Sequence, residues 1–244
     1  MVRRRISIVL PAFNEEEGIE EQVRTVLDAT GPMGFEAREV MVVDDGSTDR
    51  TGEIIDRLAS EIEEVRALHH PRNQGYADAL RDGFKAARYE LVFYTDSDLQ
   101  FDIRELKNFL PAIDDYHLVC GFRIYRFDPL SRLILSWGYN LLARILFRIR
   151  VRDIDCAFKL FRREVFDRIE IESKNFFVDT EVLAKARALD LRMTEIGVRH
   201  YPRKRGRSTV RPSHVWNTLV ELWKMWSRIY LRGRVAPEAG SRER

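Results

Sequence analysis

Two clusters of carboxylates have the spacing that phosphate chemistry requires. Asp96-Ser97-Asp98-Leu99-Gln100 sets two acids two residues apart after an apolar run. In a loop at a strand end both carboxylates can turn to one side, and their joint negative charge is costly unless a cation sits there. With no His or Cys nearby, oxygen ligands suit a hard ion such as Mg2+ or Mn2+, which bridges carboxylates and substrate phosphates. Asp96, Asp98 and Gln100 are therefore candidate metal ligands, with Asp98 the first choice. A short D-x-D pattern also reads as a solvated acidic turn capping the next helix. In the second cluster, Asp44-Asp45-Gly46-Ser47-Thr48-Asp49, an acid can accept hydrogen bonds from a base or a ribose hydroxyl. Gly46 permits a sharp turn, and Thr48 or Asp49 can cap a following helix. Asn73-Gln74-Gly75-Tyr76-Ala77 puts a glycine at a helix start, which suits close approach of a nucleotide or ordinary helix packing.

Transfer of a group from a nucleotide diphosphate builds negative charge on the leaving group, which cations must stabilise. Lys159, Arg205 and Arg207 are candidates for screening those phosphates, although Lys159 reads equally well as a surface lysine. Asp179 and Glu181 fall in the first turn of a predicted helix, where carboxylates favour the dipole. A hydroxyl acceptor needs a general base, and Asp179 is the candidate. An acceptor that is already an ionised phosphate needs none.

The elements that must position these residues alternate along the first half of the chain. Strands are predicted at Ile6–Leu10, Val40–Val43, Val65–Leu68 and Leu91–Tyr94, with helices at Glu15–Ala29, Asp49–Ile62 and Gly75–Ala87. That order predicts an α/β fold, a largely parallel sheet covered on both faces, with ligands bound beyond the carboxyl ends of the strands. Pro11 to Glu15, Asp44 to Ser47 and Asp96 to Asp98 all follow predicted strands. Farther on, Leu118–Gly121 reads as a strand and Phe177–Leu189 as a helix. Arg203–Arg211 reads as a basic loop, His214–Arg232 as a helix, and the last ten or so residues as disordered.

With 244 residues, 45% of them hydrophobic, the chain is long enough for one large domain and short for two. A net charge of +2 gives no reason to expect nucleic acid, but the acids concentrate in the first half and Arg and Lys in 123–168 and 199–234, where an anionic partner would meet the chain. Cys120 and Cys156 form no disulfide framework or metal spacing and fit a reducing compartment. The Arg3-Arg4-Arg5 start precedes too short an apolar run for a signal peptide. No run approaches the roughly 20 apolar residues of a membrane span, so any membrane association is expected to be peripheral.

The stretches "SIVLPAFNEE", "VVDDGSTDRT", "NQGYADALRDGF", "YTDSDLQFD", "VCGFR" and "DIDCAFKLFRR" together resemble family 2 glycosyltransferases with the GT-A fold, from about Ile6 to Ser208. Within that family the chain is most similar to the dolichyl- or polyprenyl-phosphate sugar synthases, of the mannose or glucose type. The resemblance implies that Pro11, Phe13, Glu15 and Asp45 hold the nucleoside, with Val43 near the base. Asp96 and Asp98, with Gln100, would place the metal and diphosphate, and Arg123 the acceptor phosphate. The chain thus divides into an expected GT-A domain over 1–212, in which 129–150 can be an interfacial helical insertion, an amphipathic helix over 213–232 that can lie on a membrane surface, and a disordered tail over 233–244.

A lipid acceptor has support from the residues themselves. Trp216, Leu219, Val220, Trp223, Trp226 and Tyr230 recur at helix spacing, opposite Asn217, Glu221, Lys224 and Arg228. Tryptophans flanked by Lys and Arg suit a helix lying in a bilayer interface, or one docked on its own sheet. Pro129–Arg150 carries Trp137 and Tyr139 among Leu and Ile, edged by Arg132, Arg144, Arg148 and Arg150. Such synthases often carry transmembrane helices farther along. Without one, these two segments would do the anchoring, at the cytoplasmic membrane face. The main expectation is thus an inverting, metal-dependent transfer of a hexose from a GDP- or UDP-sugar to a polyprenyl phosphate. The alternatives are a soluble transferase acting on a hydroxyl with Asp179 as base, and a non-enzymatic phosphoacceptor-like domain, which would need about half this length. A glycosidase would also use two carboxylates, but it would leave the strand-end phosphate and metal arrangement without purpose.

Overall fold

A computed structural model describes residues 4–125, 130–174, 177–202 and 215–231, with side chains left aside at 130–132 and 215–219. The chain begins with β1 (Arg5–Ala12), α1 (Ile19–Thr30), β2 (Ala37–Asp44), α2 (Thr51–Glu61), β3 (Val65–His69), α3 (Tyr76–Ala86) and β4 (Leu91–Thr95). It continues with β5 (Leu118–Arg123), α4 (Leu130–Phe147), β6 (Phe158–Arg162), α5 (Glu164–Arg168), α6 (Val178–Ala188), β7 (Met193–Val198) and α7 (Val215–Trp226). A single turn of π-helix, Ser227–Leu231, extends α7.

Seven strands form one sheet in the order β3-β2-β1-β4-β6-β5-β7. All neighbours are parallel except around β6, which runs antiparallel to both β4 and β5. The central strands read as near-continuous apolar runs because helices cover both faces: every residue of β4 and all but the first of β1 are buried. Helix α3 lies so close that a Cβ on Gly83 would meet Val9 Cγ1 at 2.5 Å and Val43 Cγ2 at 3.0 Å.

The predicted β-α alternation is present, with shifted ends. α1 begins at Ile19, not Glu15, because Glu15 O accepts from the backbone of both Gly18 and Ile19 in a preceding turn. Strands β6 and β7 were not expected. Their sequences, FKLFR and MTEIGV, are short and interrupted by charged or polar residues, and only pairing with β4 and β5 makes them strands.

The two amphipathic segments are helices that pack on each other. α7 turns Leu222 and Met225 inward, followed by Ile229, and Tyr230 Oη donates to Phe147 O at the end of α4. The expected apolar face of 216–230 is therefore only partly outward: Val220, Trp223 and Tyr230 are exposed, while the triplet at 222, 225 and 229 docks. Trp216 and Leu219 lie outside the described side chains, as does the 233–244 tail as a whole. On α4, Ile134, Trp137, Leu141 and Ile145 recur three or four residues apart as one exposed stripe, with Trp137 and Ile145 each 67% exposed. Among the described residues no helix is long and apolar enough to cross a membrane.

Candidate active site

The order of the sheet reverses at β1, which has β2 on one side and β4 on the other. In an open α/β sheet the loops leaving such a pair of strands diverge and open a crevice. Phe13 to Gly18 leaves β1 here, and Asp96 to Asp102 leaves β4.

The first two loops are stitched together. Asn14 sits at φ 55, a left-handed conformation that Asn tolerates, and its N–H donates to Ser47 Oγ while its Oδ1 accepts from Thr48 N. Glu15 N donates to Thr51 Oγ1, and Asp49 accepts from Glu16 N through one oxygen and Thr51 N through the other. Asp49 thus joins the loops and accepts from the first N–H of α2, whose N-cap position is Arg50. Pro11 is buried, its carbonyl accepting from Ser97 Oγ, Glu15 is half-buried, and Phe13 is exposed at the crevice.

Asp45 is buried, and its carboxylate accepts from Gln74 N, Gly75 N and His70 Nδ1 at 2.7–2.8 Å. It holds the loop before α3 in place, which is a positioning role that the sequence did not disclose. Gly46, at φ 68, is obligatory, since a Cβ there would stand 2.3 Å from the backbone of Arg72. Beneath it Asp44 accepts from Ser47 N and His69 Nδ1; burial pushes its pKa up, but these bonds hold it below the usual range. Val43, expected near the base, has its side chain fully buried against α3, so that side chain packs in the core.

Asp96 and Asp98 follow β4 on the far wall. Tyr76 Oη donates to Asp96 Oδ1 at 3.0 Å, Gln22 Nε2 donates to Asp96 O, and Gln100 N donates to Asp98 Oδ1. Leu99 between them has φ 59, a conformation that strains a branched residue and clusters at functional turns. Burial first, and then the charge of Asp98, push the Asp96 carboxyl up to about 7, against the pull of Tyr76. A divalent cation between the two acids would remove that repulsion, so the donor set fits one. Among the described residues no third His, Cys, Asp or Glu converges there, so diphosphate oxygens and water would supply the other ligands. Gln100 Nε2 donates to Tyr201 O, and Tyr201 N to Gln100 O, which ties the acidic loop to the segment leading into 203–211. Arg205 and Arg207 lie in that segment, outside the described residues.

Arg123, the last residue of β5, reaches the same edge. Its Nε and Nη2 each donate to Asp153 at 2.7 Å, a bidentate pair with both side chains largely buried. Burial pulls the Arg123 pKa down, and Asp153 more than offsets it. Arg123 and Asp153 floor a cleft of about 240 Å³ walled by Phe122, Trp137 and Leu141, with Arg144 and Arg152 at its rim. Arg152 lies 4.0 Å over the Phe122 ring. Asp153 was not singled out from the sequence, although it begins the quoted "DIDC" stretch.

Lys159 contradicts both of its expected readings. It is 1% exposed on β6, and its Nζ donates to Asp179 Oδ1 at 2.7 Å, Cys156 O at 2.6 Å and Tyr94 Oη at 3.1 Å. Neither a surface residue nor a phosphate ligand, it balances buried acids. Tyr94 Oη also donates to Asp179. Glu181 is buried as well, paired with Lys185 at 2.8 Å and accepting from Glu172 N and Ser173 N, so it pins the start of α6.

Comparison with known proteins identifies the family and the fold. The sequence model described as Glycosyl transferase family 2 matches residues 7–170. The protein called Glycosyltransferase AglD of Haloferax volcanii is 36% identical over 208 residues, 81% of this chain and 33% of that protein. The undecaprenyl-phosphate 4-deoxy-4-formamido-L-arabinose transferase of Shewanella sediminis is 30% identical over 220 residues, 89% of this chain and 65% of that one. The chain thus spans between a third and two thirds of the length of these relatives. Among solved structures, glucosyl-3-phosphoglycerate synthase from Mycobacterium tuberculosis, in complex with Mn2+, UDP and glucosyl-3-phosphoglycerate, superposes with a TM-score of 0.62 at 24% identity, over 97% of this chain and 82% of that one. S. aureus TarS in complex with UDP-GlcNAc gives 0.59 at 19%, over 91% and 66%. At such identities these two likenesses speak to the fold alone.

Proposed function

Because this chain belongs to glycosyltransferase family 2 and has its GT-A fold, we propose that it transfers a hexose, with inversion, from a GDP- or UDP-sugar to the phosphate of a polyprenyl or dolichyl carrier. Family membership sets aside the phosphoacceptor-domain alternative. One observation carries the acceptor: Arg123 stands on the same sheet edge as Asp96 and Asp98 and floors a cleft walled by Phe122, Trp137 and Leu141. A guanidinium among apolar walls suits an anionic head on a hydrocarbon tail. The named acceptors of the undecaprenyl-phosphate transferases, relatives at about 30% identity, have that chemistry.

In this reading Asp96 and Asp98 hold Mg2+ or Mn2+, which when bound stabilises the charge on the departing nucleoside diphosphate. Pro11, Phe13, Glu15 and the loop held by Asp45 receive the nucleoside, and Arg205 and Arg207 are the cations offered for its phosphates. Arg123, kept charged and oriented by Asp153, presents a phosphate oxygen to the anomeric carbon on the side opposite the diphosphate. The bond from that oxygen to the anomeric carbon forms as the bond to the diphosphate breaks, which inverts the centre. The phosphate is ionised near neutral pH, so no base is required.

The second reading, transfer to a hydroxyl with Asp179 as base, meets a specific difficulty. Asp179 is buried, and Lys159 and Tyr94 both donate to its Oδ1, so that oxygen is already occupied by the fold's own donors. The exposed α4 stripe, with Arg144 and Arg148 beside it, and Trp223 on α7 suit docking at the cytoplasmic membrane surface. The buried free thiols fit a reducing compartment. Incubation with labelled GDP- and UDP-sugars, Mn2+ and polyprenyl phosphate tests the proposal: labelled lipid is expected, and its absence with every donor refutes it.

A further inference from the structure

The antiparallel course of β6 decides what arrives beside the acid pair. Thr95, the last residue of β4, pairs with Phe158, the first of β6. The chain therefore enters β6 at the edge where Asp96 leaves β4, and residues 153–157 lie between the acidic loop and Arg123. Their backbone is pinned: Ile154 N donates to Asn140 Oδ1 at 2.7 Å, and Cys156 O accepts from Lys159 Nζ. Asp153, Ile154, Cys156 and Ala157 are all buried. Asp155 alone is half-exposed, and among the described residues its carboxylate has no hydrogen-bond or ion-pair partner.

A carboxylate in such a place is costly unless something meets it. Burial first, then Asp179 and Asp153, push the Asp155 carboxyl up to about 7, against the pull of Lys159 and Arg123. Asp179 and Lys159 also act on Asp96, and Arg123 and Asp153 line the acceptor cleft, so Asp155 stands between the diphosphate station proposed at Asp96 and Asp98 and the phosphate station proposed at Arg123. Whatever bridges the two stations is the group being transferred. A carboxylate there would repel either phosphate, whereas a sugar offers neutral O–H donors from which a carboxyl oxygen accepts.

We propose that Asp155 accepts hydrogen bonds from hydroxyls of the sugar in transit and so determines which sugar the enzyme takes. The inference rests on the donor half of the proposed function, the diphosphate at Asp96 and Asp98, and is independent of the acceptor's identity. Hydrogen bonds to a charged group carry sugar-specific affinity of about 10- to 100-fold.

The test compares Asp155→Asn and Asp155→Ala with the unaltered protein by calorimetric titration with Mn2+ and, separately, UDP, GDP, UDP-glucose, GDP-mannose and deoxy-sugar forms of the better donor. The unaltered protein should prefer one nucleotide sugar over its bare diphosphate and lose that preference for the form lacking one hydroxyl. In both variants that preference should fall about 10- to 100-fold and the deoxy discrimination vanish, while affinity for the bare diphosphate holds and the melting temperature does not fall. Variants that keep the preference, or that melt markedly lower, overturn the role of Asp155 alone. An unaltered protein that transfers nothing to polyprenyl phosphate overturns the acceptor reading, and the titrations still decide Asp155. An unaltered protein with no preference for any nucleotide sugar overturns both.

Discussion

Replacing Lys159 by Met and Asp179 by Asn, singly and together, separates the two acceptor chemistries. Lys159 and Asp179 are 1% and 9% exposed in their side chains and 2.7 Å apart, so each is the main counter-charge of the other. Removing one member of a buried pair leaves a charge that water cannot reach, at a cost of about 3–5 kcal/mol. In a domain of this size each kcal/mol lowers the melting temperature by about 2–4 °C, so Lys159→Met should melt about 6–20 °C lower. Asp179→Asn should also destabilise, by less, because the amide oxygen still accepts from Lys159 Nζ and Tyr94 Oη. The double variant should recover part of the loss, with a coupling of about 1–3 kcal/mol in urea unfolding. Activity adds the second readout. Lys159 draws the Asp96 carboxyl down from where burial and Asp98 push it, so Lys159→Met should shift the acid limb of the pH–rate profile upward. If Asp179 is structural, Asp179→Asn retains transfer at temperatures where it is folded. Additive single variants would refute the ion-pair argument. An Asp179→Asn protein that binds nucleotide sugar normally, melts normally and transfers nothing would establish Asp179 as a base and a hydroxyl as the acceptor.

Three further outcomes are expected. The Asp96 carboxyl is raised to about 7 in the fold, so the folded state binds its proton more tightly than the unfolded chain, and this group's contribution to stability is lost between about pH 4 and about pH 7. In EDTA, melting curves should show that decline, Mn2+ should offset it most above pH 7, and Asp96→Asn should flatten both; an unchanged pH slope in the variant would refute the assignment. Gly83→Ala should force α3 away from Val9 and Val43 and cost about 1–3 kcal/mol by overpacking, read by urea unfolding. Replacing Trp137 and Ile145 together by Ser should weaken binding to anionic lipid vesicles by about tenfold or more, at roughly 1.5–3 kcal/mol for each large apolar side chain fully withdrawn from water, and leave Mn2+-dependent nucleotide binding unchanged.

The sequence by itself determined the alternation of strands and helices through Leu91–Thr95, because apolar runs of strand length and helical periodicity are local signals. It also placed Asp45, Asp96 and Asp98 at strand ends, and that was enough for the fold class and for the chemistry of a cation with a diphosphate. It could not tell that the Val43 side chain turns into the core, since an apolar residue at the end of a strand can face either way. Nor could it tell Lys159 on the surface from Lys159 beneath Asp179, because a lysine is buried only where a distant carboxylate meets it. Tertiary structure alone decided that β6 runs against its neighbours. That reversal, set by which strand lies next to which, carries Asp153 to Arg123 and Asp155 into the space between the acid pair and the guanidinium.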